Sequence, residues 1–128
     1  MNYLTVEQII ETNKAVTGLS NDPFAVFHPA NLEHIVEAVR YKYENNPDAV
    51  LLKAAYLLDA LANKGHVFAE GNKRTAVTAT FTFLEQNGCE LEPKDEDEVF
   101  YFVLEVAQNK HSLNGIKAWL QQRVKMRC

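Results

Sequence analysis

The middle of this 128-residue chain reads Gly65-His66-Val67-Phe68-Ala69-Glu70-Gly71-Asn72-Lys73-Arg74-Thr75. Gly65 can end a helix and Asn72 can cap the next one, so these residues are predicted to form a loop between two helices. The helix before the loop is predicted from about Asp48 to Asn63 and is apolar on most sides. Such a helix is typically central and buried.

The segment after the loop, residues 75–83, is rich in β-branched side chains and alternates near its end, so a strand is an available alternative. We favour a helix, because Asn72 can cap it and Asn87-Gly88 can stop it. The interval between these signals is longer than a typical strand. The loop is therefore predicted to precede a second long helix.

Helix signals continue outward in both directions. Thr5 and Gln8 have the spacing of a capping box, and the helix that they open is predicted to stop near Gly18. Residues 20–30 contain two prolines and an apolar extended piece, Phe24-Ala25-Val26-Phe27. Three further helices are predicted to be capped or opened by Asn31, Asp95 and Ser112. The prediction is one all-α domain spanning residues 1–128, with six helices and a short extended segment.

Composition limits the function classes. Apolar residues make up 47% of the chain, which is enough for one hydrophobic core. The net charge of -4 and the pI of about 5.5 argue against direct binding to nucleic acid, whose phosphates attract basic proteins. We find no apolar run near the roughly 20 residues of a membrane span, and no signal-peptide pattern. We therefore expect a cytoplasmic protein in which Cys89 and Cys128 are reduced thiols.

The start of the helix after the loop carries charges of an unusual sign. A helix N-terminus presents unpaired N–H groups and a partial positive charge, which disfavours cations in the first turn. Lys73 and Arg74 nevertheless stand there. An anion at this position removes the conflict, Gly71 allows backbone to approach it closely, and Asn72 fixes the turn. These four residues therefore indicate a phosphate cradle.

Three neighbouring side chains extend the hypothesis. Glu70 offers a carboxylate of the kind that holds Mg²⁺ against phosphate oxygens. His66 offers a base whose ordinary pKa lies near neutrality. Phe68 can anchor the loop in the core. The alternative interpretation is a solvated loop with a Gly-Asn turn, two surface cations and a surface histidine.

The same residues resemble the signature of the Fic family, H-x-F-x-(D/E)-G-N-G-R-x-x-R. The matching positions are His66, Phe68, Glu70, Gly71, Asn72 and Arg74. Lys73 stands where the signature has its second glycine, and Val77 stands where it has its second arginine. With both changes, the segment resembles the motif of the Doc branch, H-x-F-x-D-A-N-K-R-T-A. Two differences from that motif remain, which are Glu70 in place of aspartate and Gly71 in place of alanine.

The resemblance implies a role for each residue. His66 is expected to take the proton from a hydroxyl group of a target protein, and Glu70 to hold Mg²⁺. Gly71 and Asn72 are expected to line the cradle, while Lys73 and Arg74 contact the phosphates of ATP. Phe68 is implied to anchor the loop. The extended piece Phe24–Phe27 corresponds to a flap that clamps the target segment as an added strand.

For the whole protein, the resemblance implies a toxin that transfers the γ-phosphate of ATP to a Ser or Thr of a translation factor, by analogy elongation factor Tu. A lysine in place of glycine and the loss of the second arginine are expected to change which phosphorus faces His66. AMP transfer to a protein hydroxyl and a non-catalytic binding module remain alternatives. The inhibitory pattern (S/T)-x-x-x-E-(G/N) is not found in the sequence. A separate antitoxin with a disordered C-terminal segment is therefore the implied partner.

Overall fold

The computed structural model describes residues 1–92 and 95–126, and this part of the chain contains six α-helices and two short strands. A π-helical turn, Ala60–Lys64, continues the third helix toward the central loop. In chain order the elements are α1 (Val6–Ser20), α2 (Pro29–Tyr41), α3 (Ala49–Asp59), α4 (Asn72–Gln86), β1 (Glu90–Leu91), α5 (Glu96–Ala107), α6 (Leu113–Arg123) and β2 (Val124–Met126). The all-α prediction is confirmed, as is the helical interpretation of residues 75–83.

Helix α3 lies at the centre of the molecule, where it packs against α2, α4 and α6. Ala54, Ala55, Leu57 and Leu58 are almost completely buried there, as expected for a helix that is apolar on most sides. Helix α4 packs in turn against α1, α3 and α5. Strands β1 and β2 form a small antiparallel pair beside α4 and α6.

A charged residue, Lys53, interrupts the apolar surface of α3. Lys53 is fully buried, and its ammonium group donates hydrogen bonds to the carbonyl oxygens of Val39 and Arg40 at the end of α2. The last carbonyls of a helix have no partner within the helix, so the lysine supplies one. Its Nζ also lies 5.2 Å from the ring centroid of Tyr3. Lys53 thus joins α3 to α2.

Local capping signals place several helix starts correctly. Thr5 forms the predicted capping box with Gln8. The side chain of Asp95 accepts hydrogen bonds from two backbone N–H groups of α5, and that of Ser112 accepts one from α6. Each of these contacts satisfies donors that a helix N-terminus otherwise leaves unpaired.

Two helix boundaries differ from the prediction. Helix α1 passes through Gly18 and ends at Ser20, because Asn21 takes the left-handed conformation (φ 58°) that closes it. Helix α2 begins at Pro29, so Asn31 lies inside its first turn and is not the N-cap. The Asn31 side chain is instead committed to a tertiary contact, in which Nδ2 donates to the carbonyl of Gly65 at 2.8 Å.

None of the helices in residues 1–92 and 95–126 is long and apolar enough to cross a membrane.

The expectation of a reduced thiol is wrong at Cys89, which is buried and disulfide-bonded. Sequence spacing excludes a metal-type cysteine pair but does not reveal that Cys89 is oxidised. Cys128 lies outside the described residues.

Candidate functional site

The loop between the π-helical turn and α4 is held at its first residue. The N–H of Gly65 donates to the carbonyl oxygen of Ala60 at 2.7 Å, and its own carbonyl accepts from Asn31. A Cβ atom on Gly65 would lie 2.7 Å from that same oxygen, so only glycine fits. His66 follows with φ 47° and an exposed side chain. The backbone before His66 is thus fixed, while its ring faces solvent.

The centre of the loop pairs with the extended segment that precedes α2. Residues 25–28 and 67–69 share main-chain hydrogen bonds of 2.7–3.0 Å around an antiparallel bridge between Val26 and Phe68. The Phe68 side chain is only 3% exposed and belongs to the hydrophobic core. The prediction that Phe68 can anchor the loop agrees with this burial.

The predicted flap residues therefore lie directly beside the loop. Ala25 and Val26 are half-buried, whereas the rings of Phe24 and Phe27 are 40% and 62% exposed. Exposed aromatic rings next to a strand-like segment offer apolar contacts to a further extended chain. Their role in clamping a target stays a prediction.

Asn72 closes the loop by a different contact from the one predicted. Its Oδ1 accepts from the N–H of Phe68 at 3.1 Å, and its Nδ2 donates to the carbonyl of Phe68 at 2.8 Å. The side chain therefore points back into the loop and does not cap α4. Gly71, with φ 76°, holds the N-cap position and offers no side-chain acceptor. The first N–H groups of α4 consequently remain without a side-chain cap, as an anion site requires.

Side chains of helix α1 contact the turn at Gly71. Asn13 is fully buried, and its Nδ2 donates to the Glu70 carbonyl at 2.8 Å and to Thr75 Oγ1 at 3.0 Å. A Cβ atom on Gly71 would lie 3.2 Å from Thr17 Cγ2. The prediction from sequence missed Asn13. Its signal is positional, because Ile9, Asn13 and Thr17 follow one another at four-residue spacing on the buried face of α1.

The two predicted cations differ in their surroundings. Arg74 donates to the carbonyl of Val16 at 2.8 Å and to Ser20 Oγ at 2.9 Å, and it pairs with Asp22 at 3.1 Å. The partial negative charge at the end of α1 therefore already compensates the guanidinium. The exposed Lys73 forms no side-chain hydrogen bond or ion pair with another described residue. The unfavourable interaction between a cation and the positive end of the α4 dipole is thus strongest at Lys73.

Residues 70–74 line one side of an open groove of about 1100 Å³, whose other side is formed by α5. This groove brings the side chains of Glu70, Lys73 and Arg74 to one surface. His66 stands at the start of the same loop, outside the groove lining, and Phe68 is buried beneath. No cluster of three metal-ligating residues occurs in the described part of the chain. Glu70 is a single carboxylate, which fits a magnesium ion completed by nucleotide phosphates and water.

Residues 3–84 match the family model described as Fic/DOC. The chain belongs to the Fic/Doc family. The match runs from α1 through most of α4, so it includes every helix that holds the loop of this Fic/Doc protein.

Two curated relatives lie on the Doc side of the family. The chain is 29% identical to the protein kinase Doc of Escherichia phage P1 over 93 residues, which are 71% of this chain and 72% of the relative. It is 44% identical to the toxin Doc of Mycolicibacterium smegmatis (strain ATCC 700084 / mc(2)155) over 69 residues, or 53% and 52% of the two chains. The resemblance to the Doc branch is confirmed.

Proposed function

We propose that this Fic/Doc protein is a Doc-type toxin that transfers the γ-phosphate of ATP to a Ser or Thr hydroxyl of a translation factor, by analogy elongation factor Tu. Translation would stop as a result. The observation that carries the proposal is Lys73, a cation without a described partner in the uncapped first turn of α4. An anion placed there accepts N–H groups and meets the ammonium charge at the same time.

The proposed reaction uses residues of one loop. His66 takes the proton of the target hydroxyl, whose oxygen forms a bond to the γ-phosphorus of ATP. The bond from that phosphorus to the β–γ bridging oxygen breaks, and ADP leaves. Gly71, Asn72 and Lys73 hold the phosphates, and Arg74 adds a contact through the half-exposed part of its guanidinium. Glu70 would hold Mg²⁺, which neutralises phosphate charge when it is bound.

Transfer of AMP is the second candidate. Glu70 and Gly71 match the general Fic signature better than the Doc motif, whereas Lys73 and Val77 match Doc. Lysine occupies space and adds charge where AMP-transferring relatives have glycine, so we place phosphate transfer first. The name of the phage P1 relative, a protein kinase, supports the same order. A binding module without catalysis is the third candidate.

The proposed regulation is by a separate antitoxin, as expected for the branch to which the two relatives belong. A disordered C-terminal segment of the antitoxin would fold on the toxin and cover the site. The open groove beside residues 70–74 has room for such a segment.

The test uses ATP labelled at the γ- or the α-phosphate, with the full chain and a bacterial lysate. We expect label on a protein only from γ-labelled ATP, with ADP as the by-product and a phosphate on Ser or Thr by mass spectrometry. His66→Ala should abolish transfer and leave the melting temperature unchanged, because the exposed ring contributes rate and not packing. Label from α-labelled ATP would establish AMP transfer instead. No transfer by the parent chain, with full toxicity of His66→Ala in cells, would favour the binding module.

A further inference from the structure

A second cavity, of about 610 Å³, lies between α2, the end of α3, the π-helical turn and the segment before α6. Its wall includes Asn31 and Gly65, the contact that fixes the backbone before His66. No described residue lines both this cavity and the groove beside Glu70. The cavity is therefore a separate space that reaches the same loop.

Ionisable side chains are concentrated in this cavity. The lining includes His34, Lys42, Tyr43, Tyr56, Asp59, Lys64 and His111. Such a concentration within a cavity is more typical of a binding site than of a solvated surface. Two of the charges are already paired, because Lys64 Nζ lies 2.7 Å from Asp59 Oδ2. His111 is likewise bound to Glu105 at 2.9 Å.

Lys42 is the cation that remains. Its Nζ lies 5.2 Å from the ring centroid of Tyr56 and 5.9 Å from that of Tyr43, and it has no acidic partner among the described residues. Tyr43 is held in the left-handed region, with φ 64°, a conformation that costs an aromatic residue energy. The ammonium group thus lies beside two phenol rings and forms no ion pair within the described part of the chain.

The phenols of the cavity are suited to donate hydrogen bonds. Burial raises the pKa of Tyr56, and the neighbouring Tyr43 and Asp59 raise it further. Its hydroxyl therefore stays protonated at neutral pH. A protonated phenol beside an uncompensated ammonium group complements an anion with two acceptor oxygens. A cation is disfavoured, because the carboxylate of Asp59 is occupied by Lys64.

We propose that the cavity at Lys42, Tyr43 and Tyr56 binds a carboxylate side chain of the protein that presents its hydroxyl to His66. This inference rests on the proposed function. Gly65 lines the cavity and directly precedes His66, so a segment that reaches the His66 ring passes close to the cavity mouth. The whole chain carries a net charge of -4, which repels acidic proteins. A local cationic cavity would therefore select where an acidic segment docks.

The first experiment needs neither ATP nor a target. Amide NMR spectra of the parent chain are recorded with sodium acetate and with sodium chloride at equal ionic strength. We expect saturable shifts at residues 42–43, 56 and 64–65 with acetate alone. Lys42→Gln or Tyr56→Phe should weaken acetate binding about tenfold, the loss expected for one charge-assisted hydrogen bond. Lys110→Gln is the charge-matched control, because Lys110 is exposed and does not line the cavity. Equal shifts with both salts overturn the proposal.

The second experiment identifies the source of the anion. Once a labelled target is purified, Lys42→Gln should raise its KM about tenfold and leave kcat and the KM for ATP unchanged. Acetate binding together with an unchanged target KM would overturn the assignment to the target and leave a free small acid as the ligand. His66→Ala should lose transfer but keep acetate binding, so a failure of the proposed function and a failure of this site give different results.

Discussion

Replacing Gly71 by alanine measures two separate effects at the turn before α4. The first is conformational: Gly71 has φ 76°, and alanine in the left-handed region costs about 1–2 kcal/mol. The second is steric, because the new Cβ atom would lie 3.2 Å from Val16 Cγ2 and Thr17 Cγ2 and 3.3 Å from Asn13 Nδ2. Crowding of this kind typically costs about 1–3 kcal/mol.

Gly88→Ala is the matched control. Gly88 also has positive φ, 85°, but a Cβ atom there meets nothing within 4 Å. We therefore expect Gly88→Ala to lose about 1–2 kcal/mol and Gly71→Ala about 2–5 kcal/mol of unfolding free energy. For a domain of this size, each kcal/mol lowers the melting temperature by about 4 °C.

The assay is urea unfolding followed by circular dichroism, with thermal melts as a second measurement. Adding Val16→Ala to Gly71→Ala should return part of the steric loss, measured against Val16→Ala alone in a double-mutant cycle. Equal losses for the two glycine variants, with no coupling to Val16, would show that α1 does not constrain the turn. The Doc motif has alanine at the position of Gly71. That result would mean that this alanine can be accommodated without a larger distance between α1 and the loop.

Four further outcomes are expected. Phe68→Ala should cost about 3–5 kcal/mol, since the ring is buried in the core, and an unchanged urea midpoint would contradict its role as an anchor. Asn13→Leu should leave the Glu70 carbonyl unsatisfied, cost about 1–3 kcal/mol, and slow transfer at saturating ATP; parent-like stability and rate would remove Asn13 from the site. Lys73→Glu should abolish ATP binding in calorimetry while stability holds or rises by a few tenths of a kcal/mol. Arg74→Glu should lower stability, because it breaks the contacts with α1, and equal melting temperatures for the two variants would refute this distinction.

The elements that sequence predicts correctly depend on short-range signals. Thr5, Asp95 and Ser112 cap helices through bonds to residues two or three positions away, and such signals are readable in the sequence. Asn31 and Asn72 have the same capping chemistry, but their amides bind Gly65 and Phe68 instead. Sequence alone cannot show whether such a side chain caps its own helix or binds a loop, because only the fold brings the competing backbone groups close to it.

The residues of the candidate site could be named from the sequence, but the contacts from other elements that hold them could not. His66, Glu70 and Lys73 lie in one motif, so their proximity follows from the sequence alone. Asn13 is separated by 57 positions from Glu70, and Asp22 by 52 positions from Arg74. Contacts over such separations depend on how the helices pack. Arg74 is paired, whereas Lys73 has no partner among residues 1–92 and 95–126, and this difference is visible only in the structure.

Among the described residues, the loop is hydrogen-bonded to α1, to the start of α2, to residues 25–28, to the π-helical turn and to Asn72. Helix α5 forms the facing wall of the groove and has no hydrogen bond to the loop in this part of the chain. Mutation can therefore act on these two parts of the protein independently. Substitutions along the exposed face of α5, at Glu96 or Phe100, can change which molecules enter the groove while the geometry of the motif is preserved. Divergence in partner choice would then be concentrated in α5, which faces the groove and does not hold the loop.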